Sequence, residues 1–140
     1  MSSTINQNSI SINSTPDKVW EVLTTNEGIT QCLPSIKVFS EWKLGSNVEY
    51  TCYSPDGSIM QWGGKEIIWK GKIVEFEINK IYSVDYNGSG ELTKETYELK
   101  TENETVKLTF TQECVNEKIA QGYEAGNAFT LQAIKKYLEK

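Results

Sequence analysis

The chain contains no histidine. That one absence removes Ser–His and Cys–His nucleophile pairs and every His-ligated metal site. Any catalysis would have to rest on Asp, Glu, Tyr, Lys or Cys. Cysteine is scarce as well: Cys32, Cys52 and Cys114 are far apart, odd in number and form no Cys-x-x-Cys. They read as reduced thiols in or beside the core of a cytoplasmic protein. No apolar run approaches the roughly 20 residues that span a bilayer. Met1 to Ser9 is polar and lacks a signal-peptide core, so a cytoplasmic location without membrane insertion is the expectation. Long basic runs are missing too, and the formal net charge is −5. Nucleic acid and anionic membrane surfaces both select basic faces, so neither is an expected partner. There is no internal repeat, low-complexity tract or linker, and no metal or other cofactor is expected.

What remains is an ordinary globular composition, 38% hydrophobic and 24% charged over 140 residues. A chain of this length suits a single domain, residues 1–140, with one core. Its aromatic supply is generous, at four Trp, seven Tyr and four Phe. Aromatic side chains fill cores, and they also line pockets.

The spacing predicts a frayed start over Met1 to Gln7, then a strand over Asn8 to Asn13 with Ile10 and Ile12 on one face. Thr15 is placed to cap a helix running to Thr25, with Pro16 at its first position and Asp17 at its positive end. Val19, Trp20 and Leu23 share one face of it, and Trp20 reads as core. Asn26 is placed to cap a short second helix, Glu27 to Leu33, which Pro34 ends. Strands follow at Ile36 to Trp42, Val48 to Tyr53 and Ile59 to Trp62, broken by turns at Lys43 to Asn47 and Ser54-Pro55-Asp56-Gly57 and by Gly63-Gly64. The strand Trp69 to Asn79 puts Lys72, Val74, Phe76 and Ile78 on one face. Ile81 to Tyr86 aligns Tyr82, Val84 and Tyr86; Thr93 to Thr101 aligns Glu95, Tyr97 and Leu99; Glu104 to Cys114 aligns Val106, Leu108 and Phe110. This alternation describes an antiparallel meander with one wet face. From Asn116 or a neighbour to Leu138 the period becomes helical, with Ile119, Tyr123, Gly126, Thr130, Ala133 or Ile134, and Tyr137 in one stripe over roughly 34 Å. Strands followed by a long helix give an α+β domain with the helix on one sheet face, and the gap between them can hold a ligand.

Three stretches carry a family resemblance. They are the opening strand and helix, Ile12 to Thr24; the hairpin Trp69-Lys70-Gly71-Lys72-Ile73-Val74-Glu75-Phe76-Glu77-Ile78-Asn79-Lys80-Ile81-Tyr82-Ser83-Val84; and the closing helix Gly126-Asn127-Ala128-Phe129 to Leu138. In this order, over nearly the whole length, the chain resembles the START-like, or SRPBCC, superfamily. Within it, the chain is most similar to the Hsp90 ATPase activator homologue (AHSA1-like) group. The resemblance implies a helix-grip fold: a curved antiparallel sheet wrapped around a long C-terminal helix, with two short helices after the first strand. Relatives bind lipids, sterols, polyketides, hormones or aromatic compounds, and some are cyclases, dehydratases or co-chaperone domains. Fold therefore leaves function open.

The leading expectation is a binding protein that holds a small apolar or aromatic molecule between sheet and helix. Tyr50, Phe76, Tyr82, Tyr86, Tyr97, Phe110, Tyr123 and Gly126 are its candidate ligand-binding residues. Gly122 and Gly126, one turn apart, mark either close helix–sheet contact or deliberate cavity volume. The alternatives are a cofactor-free cyclase or hydrolase using cavity Tyr and Glu side chains, and a chaperone-interaction module. For Glu95 and Glu124 a solvated position is expected; a buried one would be a candidate acid or base. Lys72 is expected to snorkel at its strand end rather than meet an anionic ligand. Gly63-Gly64 and Asn87-Gly88-Ser89-Gly90 read as loops beside the pocket mouth. Unpaired sheet edges leave a homodimer open.

Overall fold

The structure is a computed structural model and describes residues 4–62, 64–66, 68–86 and 92–140. The elements run β1 (Thr4–Ile12), α1 (Pro16–Leu23), α2 (Gly28–Cys32), β2 (Ile36–Ser40), β3 (Asn47–Cys52), β4 (Gln61–Trp62), β5 (Lys65–Glu66), β6 (Ile68–Glu77), β7 (Ile81–Asp85), β8 (Leu92–Glu102), β9 (Thr105–Cys114) and α3 (Glu117–Leu138). Seven strands form one antiparallel sheet in the order β1-β9-β8-β7-β6-β3-β2, and β4 pairs with β5 in a separate ribbon. The sheet curls around α3, which packs on β1, β9 and the two short helices. This is the expected α+β helix-grip architecture.

Local chemistry explains the elements and corrects several expectations. β1 starts at Thr4, and residues 4 to 7 are paired rather than frayed. Its polar residues are matched across the ladder: Gln7 donates to Thr111 Oγ1 at 3.1 Å, and the Ser9 and Thr109 hydroxyls lie 3.0 Å apart. Backbone ladder bonds do not depend on apolar side chains, so a polar strand forms as readily at this position. Thr15 does occupy the N-cap of α1, but its side chain makes no cap bond. It bonds the Asp17 carboxylate instead, which holds that carboxyl below its usual range. Asn26 does not cap α2. Its Oδ1 accepts from Ser40 N at 3.1 Å and Trp42 Nε1 at 3.0 Å, while Thr25 Oγ1 takes the Gly28 N–H at 3.0 Å. A Cβ on Gly28 would lie 2.2 Å from the Val22 carbonyl oxygen, so glycine permits the backbone contact that folds α2 onto α1.

The largest correction concerns β6. Its register against β7 shifts between Ile73 and Glu75. An extra residue on one strand turns every later side chain over. Ile73, before the shift, points into the core at 1% exposure, while Lys72 is exposed and Val74, the extra residue, is 44% exposed; Ile78, at 67%, lies past the strand in the turn to β7. Phe76 regains the inner face beyond the bulge. Gly71 serves the same region: a Cβ there would lie 2.5 Å from Val84 Cγ1 and 3.1 Å from Tyr86 Cδ1. The missing side chain leaves room for the Tyr86 ring over β6.

On the concave face one aromatic train links the core to the interior space. The Trp20 ring meets Phe76 and Tyr82 edge-on, with centroids 5.4 and 5.8 Å apart, and Trp42 meets Tyr82 at 5.9 Å. Tyr82 stacks on Tyr97 at 5.3 Å, and Tyr97 on Phe110 at 4.4 Å. Trp20 is core beneath the helices, as expected.

Candidate functional site

Between the sheet and the middle of α3 lies a cavity of about 330 Å³. Its rings come from Tyr50 on β3, Trp69 on β6, Tyr86 just after β7, Tyr97 on β8, Phe110 on β9 and Tyr123 on α3. Ile29 of α2 and Leu33 just after it, with Ile36 of β2, close one side, and Gly126, Phe129 and Thr130 of α3 border another. Trp69 and Tyr123 meet edge-on at 6.4 Å across this space.

Six of the eight candidate binding residues lie on this wall: Tyr50, Tyr86, Tyr97, Phe110, Tyr123 and Gly126. Phe76 and Tyr82 do not. Phe76 packs on Trp20, and Tyr82, at 0% exposure, is sealed by Trp20, Trp42 and Tyr97. Strand parity puts both rings on the concave face, but α1 covers that end of the sheet and fills it. Gly122 and Gly126 are exposed, and a Cβ on either meets nothing within 4 Å. Close helix–sheet contact is therefore not the reason for glycine; at Gly126 the missing side chain leaves open space on the cavity border.

Glu95 overturns the expectation of a solvated carboxylate. It faces the cavity, and its oxygens are held by the Tyr86 hydroxyl at 2.8 Å and Gln112 Nε2 at 2.8 Å. Burial pushes its pKa up, and the two hydrogen bonds oppose that shift. Part of its surface stays accessible because the cavity itself borders the carboxyl group. Burial also raises the phenols of Tyr50, Tyr86 and Tyr97, with the Glu95 charge adding to each. Glu124, by contrast, is exposed as expected.

Two polar side chains on the cavity wall escaped the sequence reading. Gln112 continues the alternation Val106, Leu108, Phe110 by one more step and is 2% exposed. Asn127 sits one helical repeat from Ala120, Tyr123 and Leu131, and its Nδ2 donates to Gln112 Oε1 at 2.9 Å. Both positions follow from periodicity; their polarity disguised them. Asn6 completes the group, with Nδ2 2.7 Å from the Ala120 carbonyl and 3.3 Å from Gln112 Oε1. The Tyr50 hydroxyl lies 3.3 Å from that of Tyr82. The Tyr97 hydroxyl has no hydrogen-bond partner among the described residues.

The cysteines are unbridged; burial raises the thiol of Cys52, and that of half-buried Cys32 to about 11. Cys114 Sγ lies 3.6 Å from Gln112 Oε1. Among the described residues no cluster of His, Cys, Asp and Glu could hold a metal ion, and no helix is long and apolar enough to cross a membrane. Gly63 and Asn87-Gly88-Ser89-Gly90 lie outside the described residues.

A curled antiparallel sheet gripping a long C-terminal helix, with two short helices at one end and a cavity between, defines a START-like helix-grip domain. The chain belongs to the family of activator of Hsp90 ATPase homolog 1-like proteins, whose pattern matches residues 13–139. It is similar to a Cytophaga hutchinsonii protein solved in solution, at 27% identity and a TM-score of 0.73 over 99% of this chain and 97% of that one. The Aha1 dimer from Colwellia psychrerythraea matches at 17% identity and a TM-score of 0.75, over 97% of this chain and 96% of its own. Ara h 8.0201 matches at 13% identity and a TM-score of 0.67, over 98% of each chain. The last two share the fold alone. No curated protein matches the chain.

Proposed function

We propose that the domain is a small-molecule binding protein that holds a compact apolar or aromatic ligand in the cavity between the sheet and α3. One observation carries this reading: a cavity of about 330 Å³ bordered by seven aromatic rings, with the Tyr97 hydroxyl unpartnered among the described residues. Its volume lies at the small end of the roughly 300–1,000 Å³ typical of ligand pockets. A dry core would leave neither the space nor a tyrosine hydroxyl without a partner.

Ligand binding to the folded state raises the unfolding temperature in proportion to RT ln(1 + [L]/Kd). A thermal-shift screen of compact aromatic compounds and lipids should therefore find dose-dependent stabilisers. Gly126→Trp, which fills the open side, should abolish those shifts. A library without a single stabiliser, or hits indifferent to Gly126→Trp, would refute the reading.

A second reading, a cofactor-free cyclase or hydrolase, is favoured by Glu95 specifically. A carboxyl group whose pKa is raised in an apolar cavity, with a phenol hydrogen-bonded to it, is equipped for general acid or base work. That reading requires turnover of a bound compound by the wild type and its loss in Glu95→Gln. Binding without turnover would leave the first reading alone.

A further inference from the structure

Glu95 is the one charged side chain among the described residues lining the cavity. The polar groups around it fix which way each amide points. The Ala120 backbone carbonyl can only accept, so the group that Asn6 presents to it at 2.7 Å is its amide nitrogen. That nitrogen also lies 3.3 Å from one terminal atom of Gln112, and Asn127 Nδ2 lies 2.9 Å from the same atom. The Cys114 thiol adds a third donor at 3.6 Å. Three donors converging on one atom identify it as the amide oxygen. The Gln112 nitrogen must then face Glu95, where it donates to Oε2 at 2.8 Å. Oε2 is therefore an acceptor. Tyr86 donates to Oε1 at 2.8 Å. The chain of orientations starts at a backbone carbonyl and ends by favouring the ionised carboxylate.

Among the described residues no cation partners that carboxylate. All fourteen basic side chains are lysines. Lys43–Glu41, Lys80–Glu77 and Lys135–Glu139 form ion pairs, and none of these six residues lines the cavity. A buried carboxylate held by neutral donors alone is costly unless a counter-charge arrives. Each carboxylate oxygen accepts one hydrogen bond here and has capacity for another. The surrounding walls are the rings of Tyr50, Trp69, Tyr86, Tyr97, Phe110 and Tyr123, and aromatic faces attract cations.

We propose that the cavity selects a protonated amine on a compact aromatic or apolar body, with the ammonium against the Glu95 carboxylate and the body among the rings. The Tyr97 hydroxyl offers a second polar point to such a ligand. Burial raises the pKa of Glu95, and a cation bound beside the carboxylate would offset that desolvation. The inference rests on the cavity being a binding site.

The test is calorimetry on the full chain at neutral pH with three probes sharing one indole body: tryptamine, tryptophol and indole-3-propionate. Tryptamine should bind about tenfold or more tightly than tryptophol, since a charge-assisted bond replaces a neutral one. Indole-3-propionate should be the weakest. In Glu95→Gln the advantage of tryptamine should vanish while tryptophol is retained. Tryptophol matching tryptamine, a preference surviving in Glu95→Gln, or the acid binding best would overturn the amine assignment and leave the cavity as a binding site. Silence from all three probes would overturn it too, and the library screen would then decide the broader reading separately. The three-probe comparison on the unaltered protein stands whether or not Glu95→Gln folds.

Discussion

Replacing Gly122 and Gly126 together by alanine should make the protein more stable. Both lie inside α3, both are exposed, and a Cβ at either meets nothing within 4 Å. No steric term then opposes the intrinsic gain of alanine over glycine in a helix interior, about 0.8–1.0 kcal/mol per site. The pair should contribute about 2 kcal/mol. Unfolding entropy near 2.1 cal/mol/K per residue gives about 0.3 kcal/mol/K for 140 residues. A melting temperature higher by about 6–7 °C is expected. Circular dichroism during thermal and urea unfolding reads it directly, and the urea midpoint should rise without a change in slope. Gly28→Ala is the internal control. Its Cβ would overlap the Val22 carbonyl at 2.2 Å, and that substitution should destabilise strongly. An unchanged or lower melting temperature for the alanine pair would refute the reasoning, because it would mean these two turns are not regular helix in the free protein.

Other expectations follow from single contacts. The folded-state pKa of Glu95 lies above the ordinary glutamate value of 4.5, so the folded state holds its proton more tightly and stability falls as pH rises through that interval. The facing phenols of Tyr50, Tyr86 and Tyr97 are raised and stay neutral there. Glu95→Gln should gain on the wild type as pH rises above about 4.5 in urea titrations, and parallel stability curves would contradict this. Gly71→Ala should lose about 1–3 kcal/mol by overpacking against Val84 and Tyr86, measured by the same unfolding assay. With its thiol at about 11, Cys32 is thiolate in only about one molecule per thousand at pH 8. The native protein should react slowly with a thiol reagent, and all three cysteines should react once it is unfolded.

The long alternations and the helical stripe were legible because backbone geometry imposes period 2 or 3.6 on burial. Tyr97 with Leu99 and Leu108 with Phe110 emerged that way, as did a helix starting at Asn116 or a neighbour; Asn116 proves to be its cap, its Oδ1 accepting the Ile119 N–H at 2.9 Å. The bulge at Val74 was not legible, since an extra residue changes register without changing composition. Nor could parity separate Tyr82 from Tyr97. Both face inward; α1 covers one and the cavity borders the other, and that depends on how far the sheet curls. Glu95 was placed on the right face but judged by its charge. Gln112 and Asn127 were passed over for the same reason. The polar half of the site is where residue chemistry and residue position disagree, so rules based on either one alone miss it.

The fixed amide orientations also give the molecule a built-in reporter. The side-chain NH₂ groups of Asn6, Gln112 and Asn127 are each held by a specific acceptor, so their paired proton resonances should be widely split and slow to exchange. A compound that touches Glu95 must perturb the Gln112 pair first, then Asn127 through the shared oxygen, and Asn6 last. Occupancy could then be followed in an ¹⁵N spectrum without a dye, a tag or knowledge of the ligand.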